Sequence, residues 1–364
     1  MQHDDFIRAK LVLANGTILS GYAPKWQQDT IFGEVVFNTG MTGYEETLTD
    51  PSYSGQILTF TYPILGNYGV SGNKDHFESD KIHVQGIICQ NIFTSPKHHA
   101  QVSTFLEWLE INRIPLISGI DTRDLTKIIR KYGVINGALV FGDNSVPNKF
   151  PDAMLTDWVK LVSPKETKTY GNGKYKVILV DCGSKRNILN NLLKFDVTVK
   201  VVPYNYDYLN EEYDGIFLSN GPGDPKMCIK TIALLKTALH QEKPIYGICL
   251  GSQLMGLAIG ANTYKLKFGH RGQNQPCIDL DSGKCYLTSQ NHGYAVEESS
   301  LPADWVVSYR HLNDSTVAGI RHRSKPLVAV QFHPEAAPGP HDSHFFFKQF
   351  IAALEQQRLE KGNK

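Results

Sequence analysis

Pro244-Ile-Tyr-Gly-Ile-Cys-Leu-Gly-Ser-Gln-Leu-Met-Gly-Leu-Ala-Ile-Gly260 decides how the second half of this chain is read. It opens as an apolar run short enough for a buried strand, and the part that begins near Ser252 has helical length. Between them, Gly247-Ile-Cys249-Leu-Gly251 makes a sharp turn. A nucleophile on such a turn is held in a strained conformation, and the flanking glycines let strand and helix pack closely. The helix points its N-terminus, with its partial positive charge, at the sulfur, an arrangement that favours thiolate over thiol. The N–H of Leu250 is placed to meet an oxyanion. A free cysteine is more often an inert core residue, so the turn alone leaves both readings open. Pro244 to Tyr264 also lacks any charged residue, as a membrane span would. Its four glycines, with Gln253 and Asn262, favour a buried strand, a turn and a buried helix instead.

Working outward, apolar runs alternate with helical spacing. Val177-Ile-Leu-Val reads as a strand buried on both faces, and Ser184 is placed to cap a helix carrying Ile188, Leu189, Leu192 and Leu193 on one face. Val197 to Val202 and Gly215 to Ser219 read as further strands, and Asp224-Pro225 caps a helix through Leu239. This rhythm predicts an α/β fold whose C-terminal domain is a doubly wound, mostly parallel sheet with a Cys nucleophile elbow. Ligands in such folds gather beyond the carboxyl ends of the strands.

A second motif has that placement. Leu327-Val-Ala-Val-Gln-Phe ends in His333-Pro-Glu335. Histidine can take a thiol proton and return it to a leaving amine. A carboxylate two residues on can lie on the same side of an extended chain and fix the imidazole. Two Cys- and His-bearing strand ends together outweigh the bland reading of either. Ser219-Asn-Gly221-Pro-Gly223-Asp-Pro225 follows another strand, and its glycines allow close approach of backbone N–H groups to a ligand. Gln290-Asn291-His-Gly293-Tyr294 reads by itself as a polar loop. His98-His99, His270 and the Arg-flanked His322 lack ligand spacing with a carboxylate or thiol, so they are read as solvated surface with no metal site.

The first 146 residues read as a separate mixed α/β domain. Leu11-Val-Leu-Ala, Asn15-Gly16 and Thr17-Ile-Leu form a hairpin signal of type I′, and Asp121 and Gly133 bracket a helix with Leu125, Ile128 and Ile129 on one face. Residues 147–174 are rich in Pro, Gly and Lys and read as a linker, leaving 175–364 as the second domain. A net charge of +1 gives no field for nucleic acid or an anionic membrane. Met1 to Lys10 is no signal peptide, and six cysteines with no C-x-x-C pair suit a reduced cytoplasmic setting.

Gly247-Ile-Cys249-Leu-Gly251-Ser-Gln253 with His333-Pro-Glu335 resembles the class I (triad) glutamine amidotransferases. Gly33-Glu-Val-Val-Phe-Asn-Thr, Met41-Thr-Gly-Tyr-Glu, Leu48-Thr-Asp-Pro-Ser52-Tyr-Ser and Ile120-Asp-Thr-Arg narrow the resemblance to small subunits of carbamoyl-phosphate synthase. It implies Cys249 as nucleophile, His333 as general base and acid, and Glu335 as its orienting partner. Ser52, Gly221, Gly223, Leu250, Gln253, Asn291, Gly293 and Tyr294 would hold L-glutamine and the oxyanion, with Ser52 reaching over from the other domain. The resemblance further implies a heterodimer with a large subunit, which receives ammonia and holds ATP and Mg, and no cofactor on this chain. Bicarbonate and ATP there yield carbamoyl phosphate for pyrimidine and arginine biosynthesis. Ser252 departs from the family, in which many members carry His. The alternatives are a stand-alone γ-glutamyl hydrolase or cysteine peptidase, which leaves the N-terminal domain unexplained, and a non-catalytic regulatory subunit, which would have lost Cys249, His333 or Glu335.

Overall fold

The computed structural model describes residues 5–362, so Met1–Asp4 of the stretch read as lacking a signal peptide lie outside the described residues. The chain divides into two units, Met1–Thr156 and Asp157–Lys364. The division falls inside the stretch read as a linker, whose second part is structured. Asp157 caps a short helix, Trp158–Val162, by accepting from Lys160 N–H, and Val159 packs into the core of the second unit. Lys168–Tyr170 then pairs antiparallel with Val199–Val201. Backbone pairing and one buried valine thus tie residues that composition alone marks as loop.

The first unit contains a seven-stranded mixed sheet and two small two-stranded sheets. The hairpin Phe6–Leu13 and Ile18–Pro24 pairs Val12 with Ile18. Its turn is not type I′, because Gly16 takes φ 88° while Asn15 is absent from the positive-φ residues. The Asn15 side chain instead accepts from Thr17 N–H, a local bond that competes with the left-handed geometry. The helix Thr122–Tyr132 starts at Asp121, whose side chain accepts from Asp124 N–H at 2.9 Å, and stops at Gly133 with φ 93°. Leu125 and Ile129 form its buried face. Such a cap is worth about 1 kcal/mol.

The second unit contains a ten-stranded sheet. Val197–Pro203, Tyr175–Asp181, Gly215–Leu218, Ile245–Ile248 and Leu327–Val330 are neighbours in that order and run parallel. This is the expected doubly wound core. Antiparallel strands extend it on both sides: Lys168–Tyr170 at one edge, and Val317–His322, Trp305–His311, Thr263–Asp279 and Cys285–Val296 at the other. The sheet as a whole is therefore mixed. Apolar residues fill both faces. One cluster holds Ile178, Ile216, Leu218 and Leu254, and the other holds Val177, Phe217, Ile248 and the last helix's Phe346, Phe347 and Phe350. The helix after Ser184 begins at Arg186, with Lys185 rather than Ser184 at its cap position; the Ser184 N–H donates to Asp181 Oδ1. No helix among the described residues is long and apolar enough to cross a membrane. Pro244–Tyr264 resolves into the strand Ile245–Ile248 and the nine-residue helix Leu250–Ala258.

Candidate active site

Three neighbouring parallel strands end in the three motifs. Gly215–Leu218 leads to the Gly221–Gly223 loop, Ile245–Ile248 to Cys249, and Leu327–Val330 to His333. Cys249 is the elbow. Its φ of 53° is a conformation that L residues rarely adopt, and the Cys249 N–H is held by Val330 O at 2.8 Å. The flanking glycines have a steric reason. A Cβ on Gly247 would lie 2.8 Å from the Gly251 carbonyl carbon, and one on Gly251 2.7 Å from Leu218 Cβ. Helix Leu250–Ala258 starts directly at the sulfur-bearing residue. The N–H groups of Ser252 and Gln253 donate to Cys249 O, and that of Gly251 donates to Ser219 O. Leu250 N–H makes none of these bonds. Buried Ser252 shows nothing that explains its departure from histidine.

The His333 Nδ1 and Glu335 Oε1 are 2.6 Å apart, and both residues are buried. Lys185, which the sequence reading passed over, puts its Nζ 3.2 Å from the same Glu335 oxygen while only 4% exposed. Asn187 Nδ2 donates to the Glu335 carbonyl at 2.5 Å. Burial works against ionised Glu335, but the Lys185 charge and then His333 hold its pKa down at about 2. Burial likewise opposes a charged His333, yet the Glu335 carboxylate and the neighbouring Cys249 lift its pKa to about 10. His333 Nε2 makes no bond of normal geometry. The imidazole therefore feels the sulfur without being aligned on it. The thiol instead donates to Asn291 O at 3.5 Å.

That contact brings in the stretch read as a loop. Gln290–Tyr294 lies in the strand Cys285–Val296, and a bridge between Ser289 and His333 brings this strand to the His333 strand end. Gln253 Nε2 donates to Tyr294 O at 2.9 Å and to Gln331 Oε1 at 3.1 Å. Gly293 lies beside Arg271. On the other side, a Cβ on Gly221 would lie 2.3 Å from Cys182 O, and Gly223 takes φ 84°. Asn220 Oδ1 accepts from Lys185 N–H, which joins this loop to the Lys185–Glu335 pair. Thus Cys249, Leu250, Gln253, His333, Glu335, Gly221, Gly223, Asn291, Gly293 and Tyr294 all belong to the second unit. Ser52 belongs to the first. It sits in the 3-10 turn Pro51–Tyr53, its N–H donating to Asp50 Oδ1. The histidine reading needs correction at two places. His270 is buried against His292 and Asp314, and His322, its side chain 9% exposed, donates from Nε2–H to Asp304 Oδ2 while its Nδ1 accepts from Ser324 and Lys325 N–H.

Residues 178–353 match the family described as glutamine amidotransferase class-I, the class that this elbow and this His–Glu pair define. Residues 11–139 match the carbamoyl-phosphate synthase small chain, CPSase domain. The chain is 46% identical over 363 residues to a carbamoyl phosphate synthase small chain of Bacillus cereus, covering 97% of this chain and 98% of that one. It is 45% identical over 385 residues to the multifunctional protein pyr1-3 of Dictyostelium discoideum, covering 97% of this chain but 17% of that much longer one. A solved glutamine amidotransferase of Thermotoga maritima overlaps 53% of this chain and 87% of its own at 17% identity and a TM-score of 0.38, a likeness too weak to argue from. The chain belongs to the carbamoyl-phosphate synthase small-chain family.

Proposed function

We propose that Cys249 attacks the side-chain amide of L-glutamine and that the ammonia released serves a large subunit on another chain. The observation that carries this reading is the buried Lys185–Glu335–His333 line ending at the Cys249 elbow. His333 takes the thiol proton. With its pKa lifted to about 10, it keeps that proton at neutral pH until ammonia leaves. Leu250 N–H and the Gly221–Gly223 loop meet the negative charge on the amide oxygen. A γ-glutamyl thioester forms, His333 then activates water, and glutamate departs. Asn291, Gly293, Tyr294 and Gln253 would line the substrate; since Gln253 Nε2 is committed to Tyr294 and Gln331, its free contribution is Oε1. Ser52 is assigned to glutamine on the resemblance alone. The same resemblance supports a cytoplasmic heterodimer that makes carbamoyl phosphate for pyrimidines and arginine, with ATP and Mg held by the partner. A dry route for ammonia suits the chemistry, because water at neutral pH protonates it.

Two expected results test the reading. A glutamine-like electrophile labels the peptide that carries Cys249, and glutamine protects it. A neutral thiol reagent reacts first at Cys285, the exposed cysteine, because Cys249 is 1% exposed. Mapping the affinity label to any other peptide would remove Cys249 from the chemistry. His333→Asn lowers glutaminase turnover by about 10²–10⁴, the usual worth of a general acid–base group. Unchanged turnover would take His333 out of the mechanism.

A further inference from the structure

One cluster of chemistry-bearing side chains holds none of the residues assigned to glutamine hydrolysis. His270 lies in the strand Thr263–Asp279, His311 ends the neighbouring antiparallel strand Trp305–His311, and Asp314 follows in the next loop. His270 Nε2 is 2.7 Å from Asp314 Oδ2, and His311 Nδ1 is 3.2 Å from Asp314 Oδ1. The two imidazoles stack with centroids 4.1 Å apart and planes 9° from parallel. One ligand-type atom from each of the three residues lies within 4.8 Å of the other two. Both imidazoles are buried, while the Asp314 side chain is 40% exposed and leaves a way in from solvent.

Each of the three groups is fixed from behind. His270 Nδ1 faces His292 Nε2 at 3.2 Å, and His311 Nε2 faces Gln275 Oε1 at 3.0 Å. Asp314 Oδ1 accepts from the Thr316 hydroxyl at 2.8 Å and from its N–H at 3.2 Å. Such outer partners orient metal-binding histidines and carboxylates. Because the Gln275 amide oxygen accepts from His311 Nε2–H, the Nδ1 lone pair faces inward. The backbone offers one donor there, Asn313 N–H at 3.2 Å from Nδ1. Electron-pair donors gathered this closely need positive charge among them. A proton bridges two of them; a divalent cation takes all three. Zinc ligands at about 2.0–2.2 Å from the metal stand roughly 3.3 Å apart, so the two carboxylate–imidazole spacings need to open by less than about 1 Å, while the wider spacing within the set closes and the stacked rings tilt until both in-plane lone pairs meet at one point.

We infer that His270, His311 and Asp314 form a binding site for a borderline divalent cation of the zinc type, with water completing its coordination. The bound cation would leave His270 Nδ1–H to donate to His292 Nε2, tying the site to the Gln290–Tyr294 strand. Cobalt(II) is the probe. The metal-free full chain in a Cys249→Ser/Cys285→Ser background, which removes the catalytic and the exposed thiol, takes up cobalt at a single stoichiometric site with visible d–d bands, and zinc displaces it. Asp314→Asn, at a partly exposed position that need not disturb the core, weakens cobalt binding on the order of 100-fold. His311→Ser does the same. His341→Ala, which breaks the exposed His341–His344 pair, leaves binding unchanged. Cobalt affinity unaltered by Asp314→Asn, or the absence of stoichiometric uptake, would overturn the assignment.

Discussion

Replacing Cys249 with serine is expected to lower glutamine-dependent carbamoyl-phosphate synthesis by about 10⁴ or more, while ammonia-dependent synthesis by the assembled enzyme stays within roughly twofold. The two expectations have separate physical origins. Serine keeps the size of the elbow residue, and its hydroxyl can donate to Asn291 O as the thiol does, so the buried site gains no unpaired polar atom. The fold and any surface presented to a partner are then unaltered. What is lost is the nucleophile: a hydroxyl yields its proton far less readily than a thiol, and His333 has no stronger base behind it than the Glu335 carboxylate. Measuring both nitrogen sources on one preparation separates the cases. Joint loss of the two activities would mean that Cys249 holds the assembly together, and the division of labour would fail.

The elbow was legible because its signal is local. A strand, a tight glycine-flanked turn and a helix occupy consecutive residues, so Cys249 and Leu250 could be placed from spacing alone. His333 and Glu335 sit two apart after an apolar run, and the 2.6 Å bond between them lies within that short span. Lys185 was not legible, since it meets Glu335 across 150 positions of chain and carries no motif of its own. The same holds for His270 and Asp314, separated by 44 positions. The antiparallel half of the second sheet escaped for another reason. Thr263–Asp279 and Cys285–Val296 are long and polar, with exposed and half-buried residues interspersed, so neither an apolar run nor clean alternation marks them. Their pairing is settled by partners rather than by pattern. The solvated-surface reading of His270 failed on the same grounds: the residues that bury it come from strands the pattern did not reveal.

Lys185→Met is expected to lower glutaminase turnover by about 10²-fold and to make the activity more sensitive to acid, with KM changed much less. Lys185 touches no reacting atom; it acts through Glu335, and its Nζ stands 3.2 Å from a carboxylate that is fully buried. Removing Lys185 leaves His333 alone to balance that buried carboxylate, and breaking a buried pair costs up to roughly 3–5 kcal/mol if the charge persists. Glu335 avoids that cost by binding a proton, so its pKa rises from about 2. In the native chain that pKa lies below its unfolded value. The stability it lends is present above the ordinary carboxylate range and is lost as pH falls through about 2. In the variant the loss moves to higher pH. His333 follows, because the neutralised carboxyl no longer lifts its pKa toward 10, and the imidazole then gives up earlier the proton that ammonia needs. Lys185→Arg, which keeps the charge, recovers part of the turnover. The discriminating record is the pH–rate profile: a merely structural lysine would lower the amount of active protein and leave both limbs where they were, whereas a positioning lysine shifts the acid limb upward and the alkaline limb downward together.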